Sequence, residues 1–390
     1  MNRCMSKVTD MKKHPLLNQP IPFIDLAAQQ ARIRPHLDQA LGRVLDHGQY
    51  ILGPECAYFE EKLREYTHVP HILGCSNGTD ALTMVLMALD VGPGDVVLVP
   101  SFTFIATAEV VGLRGALPVF VDVDPVTFNM CPRHLMETIH VVQKKGLPLK
   151  GIISVDLFGH PAPHAEIEKI AQKHGLWVMV DAAQSLGAMY HHQHTVMHGI
   201  AATTSFFPAK PLGGYGDGGA IFTKDESLAQ KLREIRVHGQ GAVPYEASGL
   251  GLTGRLDTLQ AAILLEKIKL FPEEVENRNR AAKRYSEKLS AVCRVPQVKD
   301  DCVSVWAQYT IQTERRDELQ AFLKERGVPS VVYYKKPLHQ QAYYQAGCLG
   351  QSLEETDRLA HNVLSLPMHG YLKPDVQDYI IDSVLSFFEK

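Results

Sequence analysis

One lysine, Lys210, lies between an aromatic pair and a run of glycines in the segment Ser205–Ala220, which reads SFFPAKPLGGYGDGGA. Glycine lets the backbone approach a ligand closely. A lysine in a partly desolvated pocket shifts its pKa readily and can act as an amine nucleophile that forms Schiff bases. Because glycine-rich motifs carry a false-positive risk, a surface turn with an incidental lysine explains this segment alone equally well.

A carboxylate, Asp181, directly follows the apolar run 176–180. A carboxylate at the edge of a packed interior needs a partner. The residue therefore either forms a salt bridge, caps a helix, or keeps a ring nitrogen of a cofactor protonated.

Gly78 and Thr79 open a predicted helix after the short apolar run 71–75. The free N–H groups and the positive dipole end of a helix N-terminus suit a phosphate. The same residues would also be found if Asn77 were merely a helix N-cap.

Two further residues could complete a cofactor site. Ser205 could donate to a phosphate, and Phe104 could stack on an aromatic ring, although a phenylalanine in an apolar context is usually core. With Lys210 and Asp181 they supply a nucleophile, a carboxylate, a phosphate site and a flat face. Pyridoxal 5'-phosphate needs such a set, and it then serves as an electron sink.

The elements that must position these residues alternate between apolar strands and helices. Strands rich in Val, Ile and Leu are predicted at 71–75, 96–99, 117–121, 151–155, 176–180, 202–206 and 220–223. This pattern predicts an α/β fold whose mostly parallel sheet is buried on both faces. In such folds ligands bind at the carboxyl ends of the strands, where the candidate residues fall.

The chain divides into three predicted parts. Residues 1–20 form a mobile N-terminal tail, 21–254 a large cofactor-binding domain, and 255–390 linking helices with a small α+β C-terminal domain. Helices are predicted at 104–113, 255–270 and 316–326, with terminal helices after these. The small domain is predicted to have strands near 306–312 and 330–333.

The bulk composition excludes several classes of protein. The 390 residues are 45% hydrophobic and 21% charged, with a net charge of −3 and no basic block, so we expect no nucleic-acid partner. No apolar run reaches about 18 residues, so no membrane span is expected. Seven scattered cysteines without a CxxC motif indicate neither a disulfide framework nor a metal site, and they fit the cytoplasm.

Five motifs in order carry a resemblance to a known family: 78–82 (GTDAL), 100–107 (PSFTFIAT), 181–185 (DAAQS), 205–210 (SFFPAK) and 216–220 (GDGGA). They resemble the DegT/DnrJ/EryC1/StrS nucleotide-sugar aminotransferases, and the resemblance extends from about Phe23 to the end of the chain. It implies the fold of type I pyridoxal-phosphate-dependent transferases, with a seven-stranded sheet.

Four other stretches resemble one group within that family, namely 47–54, 255–262, 307–310 and 365–369. This group aminates UDP-2-acetamido-2-deoxy-3-keto-glucuronate for O-antigen and other surface polysaccharides. The resemblance implies a ping-pong transfer from L-glutamate to a UDP sugar and a homodimer with shared active sites.

The resemblance also implies residue roles. Lys210 would hold the cofactor and shuttle a proton, Asp181 would pair with the ring nitrogen, and Gln184 would sit by the ring hydroxyl. Phe104 would cover one ring face. Phosphate ligands would be Gly78, Thr79 and Ser205, and substrate contacts would come from Gly48, Tyr50, Arg255, Tyr333 and Tyr334.

Three positions depart from the family pattern. Thr253 replaces an Asn that reaches the phosphate of the neighbouring subunit's cofactor, Tyr333 replaces a common His, and Ala209 replaces a Ser or Thr near the substrate. These changes loosen the substrate prediction more than the reaction type.

Alternative functions stay open at this point. The keto group could instead be at C3 or C4 of a UDP- or dTDP-linked 6-deoxy sugar. A sugar 3-dehydratase would carry His in place of Lys210. A catalytically silent regulatory relative would not be expected to keep Asp181, Gln184, Ser205 and Lys210 together.

Overall fold

The computed structural model describes residues 20–241, 243 and 245–389. Of the predicted N-terminal tail, residues 1–19 lie outside the described residues. The α-helices are α1 (Leu26–His47), α2 (Pro54–Thr67), α3 (Gly78–Ala88), α4 (Ala106–Leu113), α5 (Pro132–Lys144), α6 (His164–Lys173), α7 (Glu226–Ile235), α8 (Thr258–Lys267), α9 (Phe271–Leu289), α10 (Arg316–Glu325), α11 (Glu354–Asn362) and α12 (Pro374–Phe388).

The strands are β1 (His71–Cys75), β2 (Val96–Pro100), β3 (Leu117–Val121), β4 (Leu149–Val155), β5 (Trp177–Asp181), β6 (Met189–Tyr190), β7 (Gln193–His194), β8 (Ala201–Ser205), β9 (Gly219–Thr223), β10 (Cys302–Val303), β11 (Tyr309–Gln312) and β12 (Val363–Leu366). Short 3₁₀ turns cover Leu157–Gly159, Thr195–Met197, Leu338–Gln340 and Ala342–Gly347.

Seven strands form the central sheet in the order β1-β9-β8-β5-β4-β2-β3. Neighbours from β3 to β8 pair in parallel, and β9 runs antiparallel between β1 and β8. Helices cover both faces, which is why these strands are almost continuous apolar runs. The predicted α/β class and the seven-stranded, mostly parallel sheet are confirmed.

The carboxyl ends of β1, β2, β5 and β8 meet at one rim of this sheet. Asp181 ends β5, and Ser205 ends β8. Antiparallel β9 starts at the same rim, since Gly219 pairs with both Ser205 and Cys75. The rim therefore gathers side chains from segments far apart in the sequence.

Two predicted helices begin later than expected, and both changes affect candidate residues. The helix predicted at 104–113 starts at Ala106, so Phe104 lies in the turn before α4. The helix predicted at 255–270 starts at Thr258, because Asp257 is extended and pairs with Ile51. Arg255 is therefore in a connecting segment and not on a helix.

The strand predicted near 330–333 is wrong. The chain there makes a single bridge, Val331 to Ser365, and then turns at Tyr333. The partner of β11 is instead β12, in a region where the sequence predicts terminal helices. A short sheet in the order β10-β6-β7 is also absent from the predicted strands.

The hydrophobic core extends from the central sheet into α8 and the first turns of α9, where Leu264 and Phe271 join it. A separate cluster includes Tyr285, Tyr309 and Leu364 and surrounds β11, β12 and α12. The division of the chain at residues 254 and 255 stays a prediction. Within the described ranges, no helix combines the length and the hydropathy needed to cross a membrane.

Candidate active site

Lys210 lies in the turn that follows β8. Its backbone N–H donates to the carbonyl of Phe207 at 2.8 Å, and a Cβ on Gly213 would stand only 2.4 Å from the carbonyl oxygen of Pro208. The glycines therefore serve the tight packing of this turn. Burial lowers the pKa of the Lys210 ammonium, and the charge of Asp181 opposes that shift.

Asp181 faces the same buried space and is only 6% exposed. Its Oδ2 accepts a 2.8 Å hydrogen bond from the hydroxyl of Thr107, and its Oδ1 accepts one of 3.2 Å from the N–H of Ala183. Burial raises the pKa of this carboxyl, while Thr107, Ala183 and Lys210 act against the rise. The structure thus brings together a half-buried lysine and an oriented carboxylate.

The N-terminus of α3 packs closely on the end of β8. Gly78 is the first residue of the helix, and a Cβ there would lie 2.9 Å from Cβ of Ser205. The Oδ1 of Asn77 accepts from the N–H of Asp80 at 2.8 Å, as an N-cap does. The first N–H groups of a helix have no partner inside it, so those of Gly78 and Thr79 are available to an anion.

Two aromatic residues, Phe104 and Tyr334, lie near each other beside Gln184. Phe104 is 53% exposed, and its ring centre lies 6.4 Å from that of Tyr334. The Oε1 of Gln184 accepts from the N–H of Phe158 at 2.5 Å. Its Nε2 makes only a 3.5 Å contact with the hydroxyl of Tyr334, so this donor is free to turn to a stronger acceptor.

Three predicted substrate residues lie in the segments between α1 and α2 and before α8. Gly48 ends α1 in the left-handed conformation, and the carbonyl of Tyr50 accepts from the N–H of Thr258 at 3.0 Å. Through the pairing of Ile51 with Asp257, this segment lies beside Arg255. In the described residues, no hydrogen bond or ion pair links this group to Lys210 or Asp181.

The other predicted residues are placed as follows. Ala209 is half-buried next to Lys210, and Tyr333 is half-buried beside Tyr334, with ring centres 5.6 Å apart. Thr253 is exposed, and its hydroxyl lies 3.0 Å from Nε2 of His238. Across the described part of the chain, the Thr253 side chain forms no hydrogen bond with Lys210, Asp181 or the other predicted cofactor-binding residues.

Sequence reasoning missed two supporting residues. Thr107 lies in the quoted motif 100–107, but no role was assigned to it. The Oε1 of Gln260 on α8 accepts from the N–H of Tyr215 at 2.9 Å, and a Cβ on Gly214 would approach that oxygen to 2.8 Å. Gln260 therefore holds the glycine run in place, a long-range contact without a local sequence signal.

A second missed feature joins β2 to the C-terminal part of the chain. The hydroxyl of Ser101 lies 2.6 Å from Nδ1 of His339, and Nε2 of the same ring lies 3.0 Å from Asp357. Burial lowers the pKa of this histidine, and Asp357 opposes that shift. Ser101 is fully buried, so the link is a structural connection between the rim and the segment after Tyr334.

The arrangement fits pyridoxal phosphate. The half-buried Lys210 lies close enough to Asp181 for the two charges to interact. Pyridoxal phosphate needs both groups, an amine for its aldehyde and a carboxylate for its ring nitrogen. The space between Gly78 and Ser205 is so narrow that a Cβ on residue 78 would fill it. Because residue 78 is glycine, the backbone N–H groups there stay open to a phosphate. No cluster of three or more His, Cys, Asp or Glu residues in the described ranges could hold a metal ion.

Comparison with known proteins agrees with this geometry. Residues 31–385 match the DegT/DnrJ/EryC1/StrS aminotransferase family. A relative from Pseudomonas aeruginosa, UDP-2-acetamido-2-deoxy-3-oxo-D-glucuronate aminotransferase, is 47% identical over 353 residues, which cover 90% of this chain and 96% of the relative.

Solved structures show the same fold. A DegT/DnrJ/EryC1/StrS aminotransferase from Brucella abortus is 49% identical, with a TM-score of 0.92 over 95% of this chain and 100% of that one. NtdA from Bacillus subtilis, solved with bound cofactor PMP, is 28% identical, with a TM-score of 0.88 over 97% of this chain and 87% of that one.

Proposed function

Because the chain belongs to the DegT/DnrJ/EryC1/StrS aminotransferase family, we propose that it transfers the amino group of L-glutamate to a 3-keto UDP sugar. The enzyme is a sugar aminotransferase that depends on pyridoxal phosphate. The proposed acceptor is UDP-2-acetamido-2-deoxy-3-keto-glucuronate. The observation that carries this choice is the nearly full-length similarity to the Pseudomonas aeruginosa aminotransferase.

When bound, the cofactor supplies an electron sink for the negative charge left when a proton departs from carbon. We assign the proton transfer to the amine of Lys210. Its lowered pKa makes the neutral amine available at lower pH than for an ordinary lysine. Asp181 would hold a proton on the ring nitrogen, and Thr107 would keep its carboxylate oriented.

The remaining cofactor contacts are proposed from the hydrogen-bond donors that have no strong partner within the protein. Gly78 and Thr79 would bind the phosphate through backbone N–H groups, with the hydroxyl of Ser205 beside them. Gln184 would donate from Nε2 to the ring oxygen, because its Oε1 is already taken by Phe158. Phe104, exposed in the turn before α4, would cover one ring face.

Substrate contacts are proposed for Gly48, Tyr50 and Arg255 on one face and for Tyr333 and Tyr334 on the other. Ala209 lies next to the nucleophile and offers no hydroxyl, so we expect it to leave room for the sugar. Lys335 and Lys336 are exposed, and we expect them to be solvated.

A panel of keto sugars tests the substrate. With L-glutamate as donor, UDP-linked 3-keto-glucuronate should give a higher kcat/KM than UDP- or dTDP-linked 3- or 4-keto-6-deoxy sugars, as measured by 2-oxoglutarate release. A preference for a 6-deoxy sugar would overturn the proposed acceptor. Cofactor binding without turnover on any sugar would instead support a silent regulatory protein.

We also propose a homodimer whose sites take residues from both chains. Thr253 is exposed, and its hydroxyl bonds to His238 rather than to a cofactor-binding residue of its own chain, which supports this arrangement. The test mixes two inactive variants, Lys210→Ala and Thr253→Asp, whose carboxylate would repel the partner's cofactor phosphate. Random pairing makes half of the dimers mixed, and each mixed dimer has one intact site of its two. About one quarter of wild-type activity should therefore return.

If Thr253 served its own chain, each mixed dimer would have two damaged sites, and no activity would return. The variant Thr253→Val controls for loss of the hydroxyl without a new charge. The free cysteines of the described residues support a reducing compartment, and we propose a cytoplasmic enzyme that serves surface polysaccharide synthesis.

A further inference from the structure

A narrow cleft opens beside Lys210. Pro208 and Pro211 line it on the side of the nucleophile's turn, and α1, α8, α9 and the segment after β12 line the other side. The centre of a water-sized group can occupy a volume of about 20 Å³ in this cleft. That is room for one water molecule or one small ion.

Two buried cations line or border this cleft besides Lys210. Lys267 is 1% exposed and Arg278 is 5% exposed. The charge of Glu274 acts on both, but neither forms a direct ion pair with a described residue. The Nζ of Lys267 lies 4.8 Å from the ring centre of Tyr215. The Nη1 of Arg278 donates to the carbonyl of Trp306 at 3.0 Å. Burying a cation is costly unless its N–H donors are satisfied, so these two residues need hydrogen-bond acceptors.

The two carboxylates at the cleft already accept hydrogen bonds from other groups. Glu274 accepts from Nε2 of Gln29 at 2.7 Å and from the hydroxyl of Tyr371 at 2.6 Å. Asp25 accepts from the N–H of Ala28 as the N-cap of α1. Asp25 and Glu274 offset the charges of Lys267 and Arg278, as Asp181 offsets that of Lys210, but neither carboxylate pairs directly with a cation among the described residues. Burial lowers the pKa of His369 to about 4, so that ring is neutral.

Unpartnered polar atoms mark where the missing group would bind. The Nε of Arg278 and both ring nitrogens of His369, which is 4% exposed, have no partner among the described residues, and both side chains line the cleft. One acceptor there, Oε1 of Gln29, is also without a partner. Counting the ammonium of Lys267, donors outnumber acceptors.

We propose that this cleft binds one small monovalent anion between Lys267, Arg278 and His369, directly beside Lys210. It would accept hydrogen bonds from the donors that have no partner, and its size would match the available space. A free halide or formate ion and a carboxylate of the amino donor share this chemistry. The second source rests on the proposed aminotransferase function, whereas the first does not.

Bromide is a suitable probe, because its anomalous scattering identifies it in crystals. The cofactor-loaded protein, kept in halide-free buffer, would be titrated with NaBr at constant ionic strength while its Tm is followed. We expect saturable stabilisation and an anomalous peak in the cleft. The Lys267→Met variant should raise the bromide Kd about 10- to 100-fold, since it removes one charged donor.

Lys269→Met is the matched control. Lys269 is an exposed lysine two residues after Lys267, and it pairs with Glu266. It should leave the bromide Kd unchanged. An empty cleft in bromide-soaked wild-type crystals would overturn the proposal, and so would an equal Kd in all three proteins. The crystal result stands even if Lys267→Met does not fold.

A kinetic arm separates the two sources. If chloride raises the KM for L-glutamate without changing kcat, the cleft takes the donor carboxylate. If chloride binds and the KM does not change, the cleft is an independent site for an inorganic anion. Both results support an anion site, and failure of transamination itself would leave the bromide measurement valid.

Discussion

The hydroxyl of Thr107 donates a 2.8 Å hydrogen bond to Oδ2 of Asp181, and both side chains are buried at the rim of the sheet. The N–H of Ala183 donates to the other carboxylate oxygen. Burial raises the pKa of Asp181, and these two donors favour the charged form against that effect. Thr107 therefore positions a carboxylate that the proposed chemistry needs ionised.

Replacing Thr107 by Val removes this hydroxyl with little change in shape. The pKa of Asp181 should rise further, so the acidic limb of the pH profile of kcat/KM should move to higher pH. We expect kcat/KM at neutral pH to fall about 10- to 100-fold, the value of one hydrogen bond to a charged group.

Thr67→Val is the control for loss of a buried hydroxyl. Thr67 is fully buried, and its hydroxyl donates to the carbonyl of Leu63 at 2.8 Å within α2. This variant should lose similar stability and keep the wild-type pH profile. If both variants gave the same profile, Thr107 would have only a structural role.

The close packing of Gly78 against Ser205 predicts a second result. The variant Gly78→Ala places a Cβ 2.9 Å from Cβ of Ser205 and should push α3 away from β8. Cofactor affinity, measured by equilibrium titration of the visible absorbance, should fall about tenfold or more, since phosphate sites depend on well-placed N–H groups.

Removing the opposing Cβ should repair this clash. The double variant Gly78→Ala/Ser205→Gly should bind the cofactor better than Gly78→Ala does, although below wild type because it lacks the hydroxyl. Gly92→Ala is the neutral control, since no atom lies within 4 Å of its added Cβ. No recovery in the double variant would show that the loss has another cause.

The rim of the site could be predicted from the sequence because it depends on local patterns. Asp181 and Ser205 each follow a short buried strand, and a parallel sheet brings such ends together without further information. The strand ends therefore predicted that Asp181 and Ser205 would lie at the same rim of the sheet.

The parts that could not be predicted depend on long-range contacts. Gln260 contacts the glycine run 45 residues away in sequence, and β11 pairs with β12 rather than with the expected strand near 330–333. Arg255 lies outside the helix that was predicted to include it, because Asp257 is extended and pairs with Ile51. The hydrophobic periodicity of a short segment does not show which distant residues that segment will contact.

Covalent trapping tests the choice of nucleophile. Borohydride treatment of the cofactor-loaded protein should attach a pyridoxyl group to Lys210, as seen by peptide mass spectrometry. Lys267 is an internal control, because it is also buried with a lowered pKa and should stay unmodified. Lys210→Ala should fold, bind no cofactor covalently and lose transamination, and normal turnover would refute the assignment.

The buried ammonium of Lys267 predicts a pH dependence of stability. Burial lowers its pKa from 10.5 to about 8, although Glu274 opposes that shift. Between these pH values the unfolded chain binds more protons than the folded one, so stability rises with pH. Relative to Lys267→Met, the wild type should therefore gain up to roughly 3 kcal/mol between pH 8 and 10.5.

The measurement is the difference in unfolding free energy, or in Tm, between wild type and Lys267→Met across this pH range in halide-free buffer. Lys269→Met, which removes an exposed lysine, should keep the same slope as the wild type. Adding bromide should flatten the wild-type slope, because a bound anion stabilises the ammonium and raises its pKa. Parallel pH profiles for wild type and Lys267→Met would show that Lys267 is not titrating in this range.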